Sequence, residues 1–460
     1  MISRALQGFG LRSVTADQPL TANQKILRAI VVVTLGTIAA KLVATAKELT
    51  VAAWFGRGDA IDAFLIALLV PTTVIGFAAG SFSAALIPTY IRVREQQGDE
   101  AAQQLFSSVQ VASLGFLALV SILFASAAHF YVPLLGSAFN PGKLLLTERL
   151  SYLLLPFIVL NGAIIIWSAV LNAGERFALP ALTPAVTPLV AVLALLMFGG
   201  RWGIYSLAVG TVVGSGLEAC LLGCVMRARG FRPGFRWCGT TPELRQVLRQ
   251  YIPMLAGALL MGTAPVIDQA MAAMLKGGSV AALLYGNRVV TVVMMLTSAA
   301  LGTAVLPYFS QMAVKEDWSG CRRTLKVYSI LIIVVTIPLT LAVIAGSSWL
   351  TRILYQRGAF TAADTAVVSS VQAFFALTIP FYTWGSLLVR FISSLQHNQL
   401  LGYFSLVSAV LNVLLNLALM KRLGVPGIAL STSLVYMISC MLMGVAALKL
   451  LRRKEEKSRA

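Results

Sequence analysis

Apolar runs of about twenty residues or more recur along the whole chain, and they set the solvent the fold is built for. A helix of roughly 20 apolar residues crosses a bilayer's hydrocarbon core. The chain has 460 residues, is 58% hydrophobic and 12% charged, and has a mean hydropathy of +0.84. A soluble domain is about 25% charged. Lipid leaves no partner for an open backbone, so only helices or closed barrels span it. Barrel strands read as short alternating segments, a pattern this sequence lacks. The expectation is therefore an all-α polytopic membrane protein.

The hydrophobic pattern predicts twelve helices, at about 27–54, 61–91, 104–134, 147–172, 178–199, 203–226, 244–275, 279–312, 324–350, 363–395, 400–420 and 425–449. The polar, mixed start does not read as a cleavable signal peptide, so the first helix is expected to serve as an uncleaved insertion signal. With alternating loops, 23 of the 36 lysines and arginines fall on the side of the N-terminus, nine opposite it and four within helices. Positive loops stay cytoplasmic, so both termini are expected inside, in a bacterial cytoplasmic membrane. The same bias accounts for most of the net charge of +19 without a nucleic-acid partner.

The basic stretch 227–243, RARGFRPGFRWCGTTPE, divides the chain near its middle. The expected organisation is a cytoplasmic segment 1–26, a first lobe 27–226, this linker, a second lobe 244–449 and a basic cytoplasmic tail 450–460. The two six-helix lobes are expected to flank a central cavity. They also echo each other. Pro156-Phe157 and Pro380-Phe381 are 380 − 156 = 224 apart, and Gly203-Ile204 and Gly427-Ile428 keep that offset, 427 − 203 = 224. A six-helix repeat inserts both copies in the same orientation, as in many two-lobed transporters. Pro71, Pro156, Pro253, Pro265 and Pro380 fall inside apolar helices, where proline kinks the helix and frees a carbonyl.

Charges inside these helices mark what the protein handles. A charged side chain at the bilayer centre costs about 3 kcal/mol on insertion scales. The first helix carries Lys41, Lys47 and Glu48, and the eighth carries Arg288. A cleft lined by Lys41, Lys47 and Arg288 suits a phosphate or diphosphate, whose oxygens accept charge-assisted hydrogen bonds. Glu48, Asp62, Glu218 and Asp268 are candidates for supporting that site or holding a coupling ion. Alternatives stay open for them. Lys47 and Glu48 near an interface would snorkel, and Asp62 with Arg57 would hold a short turn. Histidine occurs only at His129 and His397, and the five cysteines form no CxxC, so neither a catalytic nor a metal site is expected.

Several stretches resemble the MurJ/MviN family of lipid II flippases. They are AKLVATAKELTVAAWFGRGDAIDAFLIALLVP (40–71), GSFSAALIPTY (80–90), the helix at 278–311, RILYQRGAFTAADT (352–365) and NVLLNLALMKRLGVPGIALSTSL (412–434). The resemblance implies a non-enzymatic exporter of the superfamily that also holds polysaccharide-unit flippases and multidrug extruders. It implies transport of a polyprenyl-diphosphate-linked saccharide between leaflets by alternating access. The implied partners are that glycan lipid, membrane lipids, and cell-wall or polysaccharide assembly enzymes. No resident cofactor is implied, and the coupling ion is open among proton, sodium and membrane potential alone. By position, Lys41 and Lys47 stand where the family usually has arginines, Glu48 at an acidic position, Asp62 at its second-helix aspartate and Arg288 at its eighth-helix arginine. The stretch PTTVIGFAAGSFS (71–83) carries no charge where the family has an Arg-Arg pair. Typical members continue into two further helices beyond the twelfth. The alternative readings are an exopolysaccharide or O-antigen repeat-unit flippase and a drug/cation antiporter.

Overall fold

The computed structural model describes residues 22–228, 230–231, 237–302 and 305–459. Arg4 and Arg12 of the expected N-terminal segment lie outside the described residues, as do Arg229, Arg232 and Arg236 of the linker. Among the described residues there is no strand. The first half comprises α1 (Ala22–Phe55), α2 (Asp59–Gln97), α3 (Asp99–Leu135), α4 (Pro141–Ala173), α5 (Ala178–Trp202) and α6 (Ile204–Ala228). The second comprises α7 (Pro242–Met261), α8 (Ala264–Ala273), α9 (Ser279–Gly302), α10 (Val305–Val314), α11 (Trp318–Tyr355), α12 (Ala362–Ser394), α13 (Asn398–Leu423) and α14 (Val425–Arg459).

Ten of these helices are long and apolar enough to cross a membrane, and the bent pair α7–α8 makes up to eleven. Within the described residues the expected twelve is not reached. The helix α1 falls outside that count.

Proline sets where the helices depart from straight α-geometry, because it brings no N–H and crowds the preceding turn. Pro71 lies one turn before a π-turn at Ile75–Ala79 in α2. The turn at Leu155 in α4 directly precedes Pro156, and the turn at Leu377 in α12 closely precedes Pro380. In α5 a short helix (Ala178–Leu182) and a 3-10 turn (Thr183–Ala185) lead into the main helix at Val186. Residues 244–275, expected as one helix, are instead broken between α7 and α8 with a 44° bend. Pro265 opens α8, and Gly262 fills the break: a Cβ there would lie 2.2 Å from the Phe77 ring of the α2 π-turn.

Helices α1–α6 pack chiefly on one another, and so do α8–α14. The exception is α7, which lies along α2. Tyr251 stacks on Phe82 with ring centroids 3.8 Å apart, and Glu243 accepts a hydrogen bond from Gln97 at 3.2 Å. The bend at Gly262 therefore lets one apolar run serve both halves.

The duplication is visible in the backbone. Gly203, between α5 and α6, has φ 52° and ψ −130°; Gly424, between α13 and α14, has φ 65° and ψ −137°. Glu175 after α4 and Gln396 after α12 are both left-handed, at φ 58° and 60°. Both pairs are 221 apart (424 − 203 and 396 − 175). The repeat thus runs three residues off the register suggested by the sequence matches, because Gly203 pairs in geometry with Gly424 and not Gly427.

The last helix also differs from expectation. It runs to Arg459 where a separate tail was expected from residue 450. Leu451 is fully buried, Arg322 grips Glu455 through two hydrogen bonds at 2.9 and 2.6 Å, and Lys454 lies over the Trp318 ring at 5.7 Å. Docking on the start of α11 prolongs the helix past its apolar stretch.

Candidate functional site

The charges of α1 and α9 meet. Arg288 Nε lies 2.7 Å from Glu48 Oε2, and the two side chains are 33% and 27% exposed. Lys47 and Lys41 both act electrostatically on the Glu48 carboxylate, and Lys47 also feels Arg288. Lys41 is exposed and Lys47 half-buried. Among the described residues only Arg288 forms an ion pair with Glu48, while Lys47 is its chain neighbour and Lys41 lies two turns back on the same helix, so cations outnumber the one carboxylate here. Beneath them lie two buried tyrosines, Tyr285 of α9 and Tyr355 of α11, with ring centroids 5.1 Å apart. Neither tyrosine stood out in the sequence, because an aromatic in an apolar helix reads as packing.

Asp62 sits apart from that cluster, at one end of the bundle. It is 1% exposed and fully occupied. Its carboxylate accepts from the backbone N–H groups of Gly278 (2.7 Å) and Ala281 (2.9 Å), and from Lys143 Nζ (3.1 Å). Lys143 also reaches Asp59 at 2.8 Å and lies over the Phe139 ring at 3.9 Å. Asp62 therefore caps α9, whose first N–H groups have no intrahelical partner. It ties α2 to α4 and to the second half at once.

Two more ties close the same end. Arg57 pairs with Asp364 at 3.1 Å, and Asp364 forms a capping box with Thr361 at the start of α12. Ala359 N–H donates to the Ala53 carbonyl at 2.8 Å. Gly358 has φ +59°, and a Cβ on it would lie 2.2 Å from the Ala53 oxygen, so only glycine fits. Phe360 is buried against Tyr355, with centroids 5.6 Å apart. The RGAFTAADT stretch is thus a hook from the second half onto the end of α1.

The remaining two acids lie inside separate halves. Asp268 of α8 is 6% exposed and accepts from Asn412 Nδ2 (3.0 Å), Asn416 Nδ2 (2.8 Å) and Thr432 Oγ1 (2.9 Å). Asn416 Oδ1 is buried with no partner. Glu218 of α6 is 4% exposed and accepts from Thr187 Oγ1 at 2.6 Å. Neither joins the Lys41–Lys47–Glu48–Arg288 group. Lys143, Asp364, Asn412, Asn416 and Thr432 were not singled out from sequence. The spacing of Asn412 and Asn416, one helical turn apart in an apolar stretch, was the available signal. Among the described residues no three His, Cys, Asp or Glu side chains cluster to hold a metal.

This architecture has counterparts among solved structures. It matches "Lipid II flippase MurJ, inward closed conformation" with a TM-score of 0.77 at 21% identity, covering 92% of this chain and 90% of that one. It matches an inward-facing multidrug resistance MATE family transporter of the MOP superfamily with a TM-score of 0.75 at 11% identity, covering 94% and 99%. The protein is thus a multi-pass, all-helical membrane protein with the fold of these transporters. Its family is narrower: the model described as "Lipid II flippase MurJ" matches residues 51–458, and the chain belongs to that family. Among curated relatives, the "Probable lipid II flippase MurJ" of Bdellovibrio bacteriovorus is 24% identical over 428 residues, 91% of this chain and 82% of that protein. That of Synechocystis is 26% identical over 418 residues, 87% and 77%.

Proposed function

We propose that this protein is a flippase that moves a polyprenyl-diphosphate-linked saccharide from the cytoplasmic to the outer leaflet, without catalysing a reaction. The observation that carries the reading is the Arg288–Glu48 pair, with Lys47 and Lys41 on the same helix as Glu48, inside a membrane fold. Without cargo, Glu48 neutralises Arg288. A diphosphate brings more negative charge than one carboxylate and takes the guanidinium from it, with bidentate geometry on Arg288 and point charges from the two lysines. A cationic drug would meet the same cations as a barrier, which disfavours the antiporter reading. The family name favours lipid II. The lysines in place of arginines and the uncharged stretch 71–83 support a related lipid-linked glycan as the second reading.

The basic loops favour both termini in the cytoplasm. The Asp62, Arg57–Asp364 and Ala53–Ala359 ties then close the outer face, while towards the cytoplasm lobes 27–226 and 244–449 meet where α7 lies along α2. Asp268 is the acid best suited to a coupling ion. One carboxylate among neutral amides and a hydroxyl matches a hard monovalent cation. The unpartnered Asn416 Oδ1 supports this, because turning an amide exchanges donor for acceptor oxygen.

Reconstituted vesicles test the cargo reading. Purified protein should accelerate loss of a labelled polyprenyl-diphosphate sugar from the leaflet in which it is supplied. Lys41→Ala and Arg288→Ala should abolish this at normal membrane levels. Full activity in both variants would overturn the diphosphate site. Rescue of cells depleted of their own lipid II flippase separates the two cargoes.

A further inference from the structure

Glu218 poses a question that the cargo site does not answer. It lies about 21 Å along α6 from Ile204, at 1.5 Å per residue. Its donors are the Thr187 hydroxyl, at 2.6 Å, and the Thr187 backbone N–H, and among the described residues it takes part in no ion pair. Asp268, by contrast, collects three donors. One turn before Thr187, Thr183 Oγ1 is buried with no partner. An isolated carboxylate taken out of water without a counter-charge is far costlier than its neutral form.

The segments of α4 and α5 beside Glu218 supply no cation, and Lys41 of α1, five residues past Gly36, is exposed. Residues 156–173 of α4 and residues 178–188 of α5 contain no ionisable side chain. Arg201 of α5 stands about 21 Å along the helix from Thr187. Lys143 of α4 is engaged with Asp59 and Asp62 of α2. Glu148 and Arg149 share the first segment of α4 with Lys143, towards the Ile204 end of α6. On α6 itself, Tyr205 lies near the start, Arg227 in the last turn, and Cys220 and Cys224 are exposed.

The cover of this site is also defined. The Thr183–Ala185 turn packs on both α1 and α6. Gly36 of α1 presses so close to Ala181 that a Cβ on it would lie 2.8 Å from the Ala181 Cβ. The helix bearing Lys41, Lys47 and Glu48 therefore leans on the segment that seals Glu218.

We propose that Glu218 is a proton-binding site in the first half of the protein, distinct from the cation-type site at Asp268. Sealed beneath α1 it holds a proton, and exposed to water it releases one.

Infrared difference spectra of the full-length protein in nanodiscs, wild type minus Glu218→Gln, test this without any transport assay. At neutral pH the difference should contain a carboxylic acid C=O band that gives way to carboxylate bands as pH rises. Thr187→Val, which keeps Glu218, should move that titration to higher pH, and it identifies the band should Glu218→Gln fail to fold. Carboxylate bands already present at neutral and mildly acidic pH would overturn the proposal. A second measurement rests on the flippase reading: a pH gradient should change the wild-type flipping rate severalfold and leave Glu218→Gln indifferent. A spectroscopic proton site with no flipping at all would sink the flippase reading and spare this one, whereas gradient-sensitive flipping in Glu218→Gln would remove its transport role.

Discussion

Among individual residues, burial separates those that hold the fold from those that meet cargo. Lys143 is 6% exposed and pairs with two aspartates. Removing one partner of a buried pair costs about 3–5 kcal/mol, because the other charge is left uncompensated. Lys143→Met should therefore lower thermal stability strongly, and adding Asp62→Asn should recover part of the loss. A Lys143→Met protein as stable as wild type would show that the two backbone donors to Asp62 suffice. Lys41 is exposed and its side chain makes no hydrogen bond among the described residues, so Lys41→Ala should leave stability intact and remove flipping. Lys41→Arg should retain flipping better, since it keeps the charge. Equal loss in both variants would mean that shape, not charge, matters there. Asp268 makes a third kind of prediction. A bound monovalent cation at 100 times its Kd stabilises by about 2.7 kcal/mol. Raising that cation at constant ionic strength should raise the wild-type Tm, and Asp268→Asn should abolish the dependence. The sequence showed all seven candidate acids and bases, because a charge in an apolar run is conspicuous. It could not show their partners: Lys143 looked like an ordinary loop cation, and Asn412 and Asn416 are neutral.

Among the helices, boundaries follow capping and proline more than hydropathy. The expected apolar segments are mainly helical where the structure describes them, with 244–275 broken at Gly262, since twenty apolar residues admit no alternative in lipid. What hydropathy missed is detail that leaves hydropathy unchanged, namely the π-turn at Ile75–Ala79, the break at Gly262 and the docking of the last turns of α14 on α11. Position Asp317 shows how a cap sets a boundary. Its carboxylate accepts from Gly320 N–H at 2.8 Å and Ser319 Oγ at 2.9 Å, at the first turn of α11. The Gly320 N–H, then the Ser319 hydroxyl, hold its carboxyl below the usual aspartate value. A depressed folded value means that the cap contributes fully above the unfolded pKa, about 3.9. Its contribution is lost as pH falls through the lower folded value. Wild-type Tm should thus fall more steeply than that of Asp317→Asn as the pH drops below about 4. Parallel curves would mean that the cap does not sense protonation.

For the molecule as a whole, the two halves are joined unevenly, and that unevenness carries the alternating-access reading. At one end polar ties, Asp62 on the start of α9, Arg57 on Asp364 and Ala359 on Ala53, sit over an apolar cluster shared by both halves, from Ile61 and Phe64 to Tyr285 and Phe360. Along the other stretch, α7 lies on α2 through rings and side chains and is uncoupled from α8 by the 44° bend. A few charged ties can release together as the halves rock, while a stacked helix pair moves as one body about the break at Gly262. An inward-to-outward exchange must therefore part Arg57 from Asp364 in every cycle. With the five native cysteines replaced, Arg57→Cys with Asp364→Cys presents two thiols across this seam. Bridging them with a short bifunctional thiol reagent should stop flipping, while the unbridged double variant keeps at least part of its rate. A cleavable reagent should restore that rate on reduction, and either single cysteine should be insensitive. Undiminished flipping by the bridged protein would show that the seam stays shut during transport, and the cargo route would then have to lie elsewhere than between the two halves.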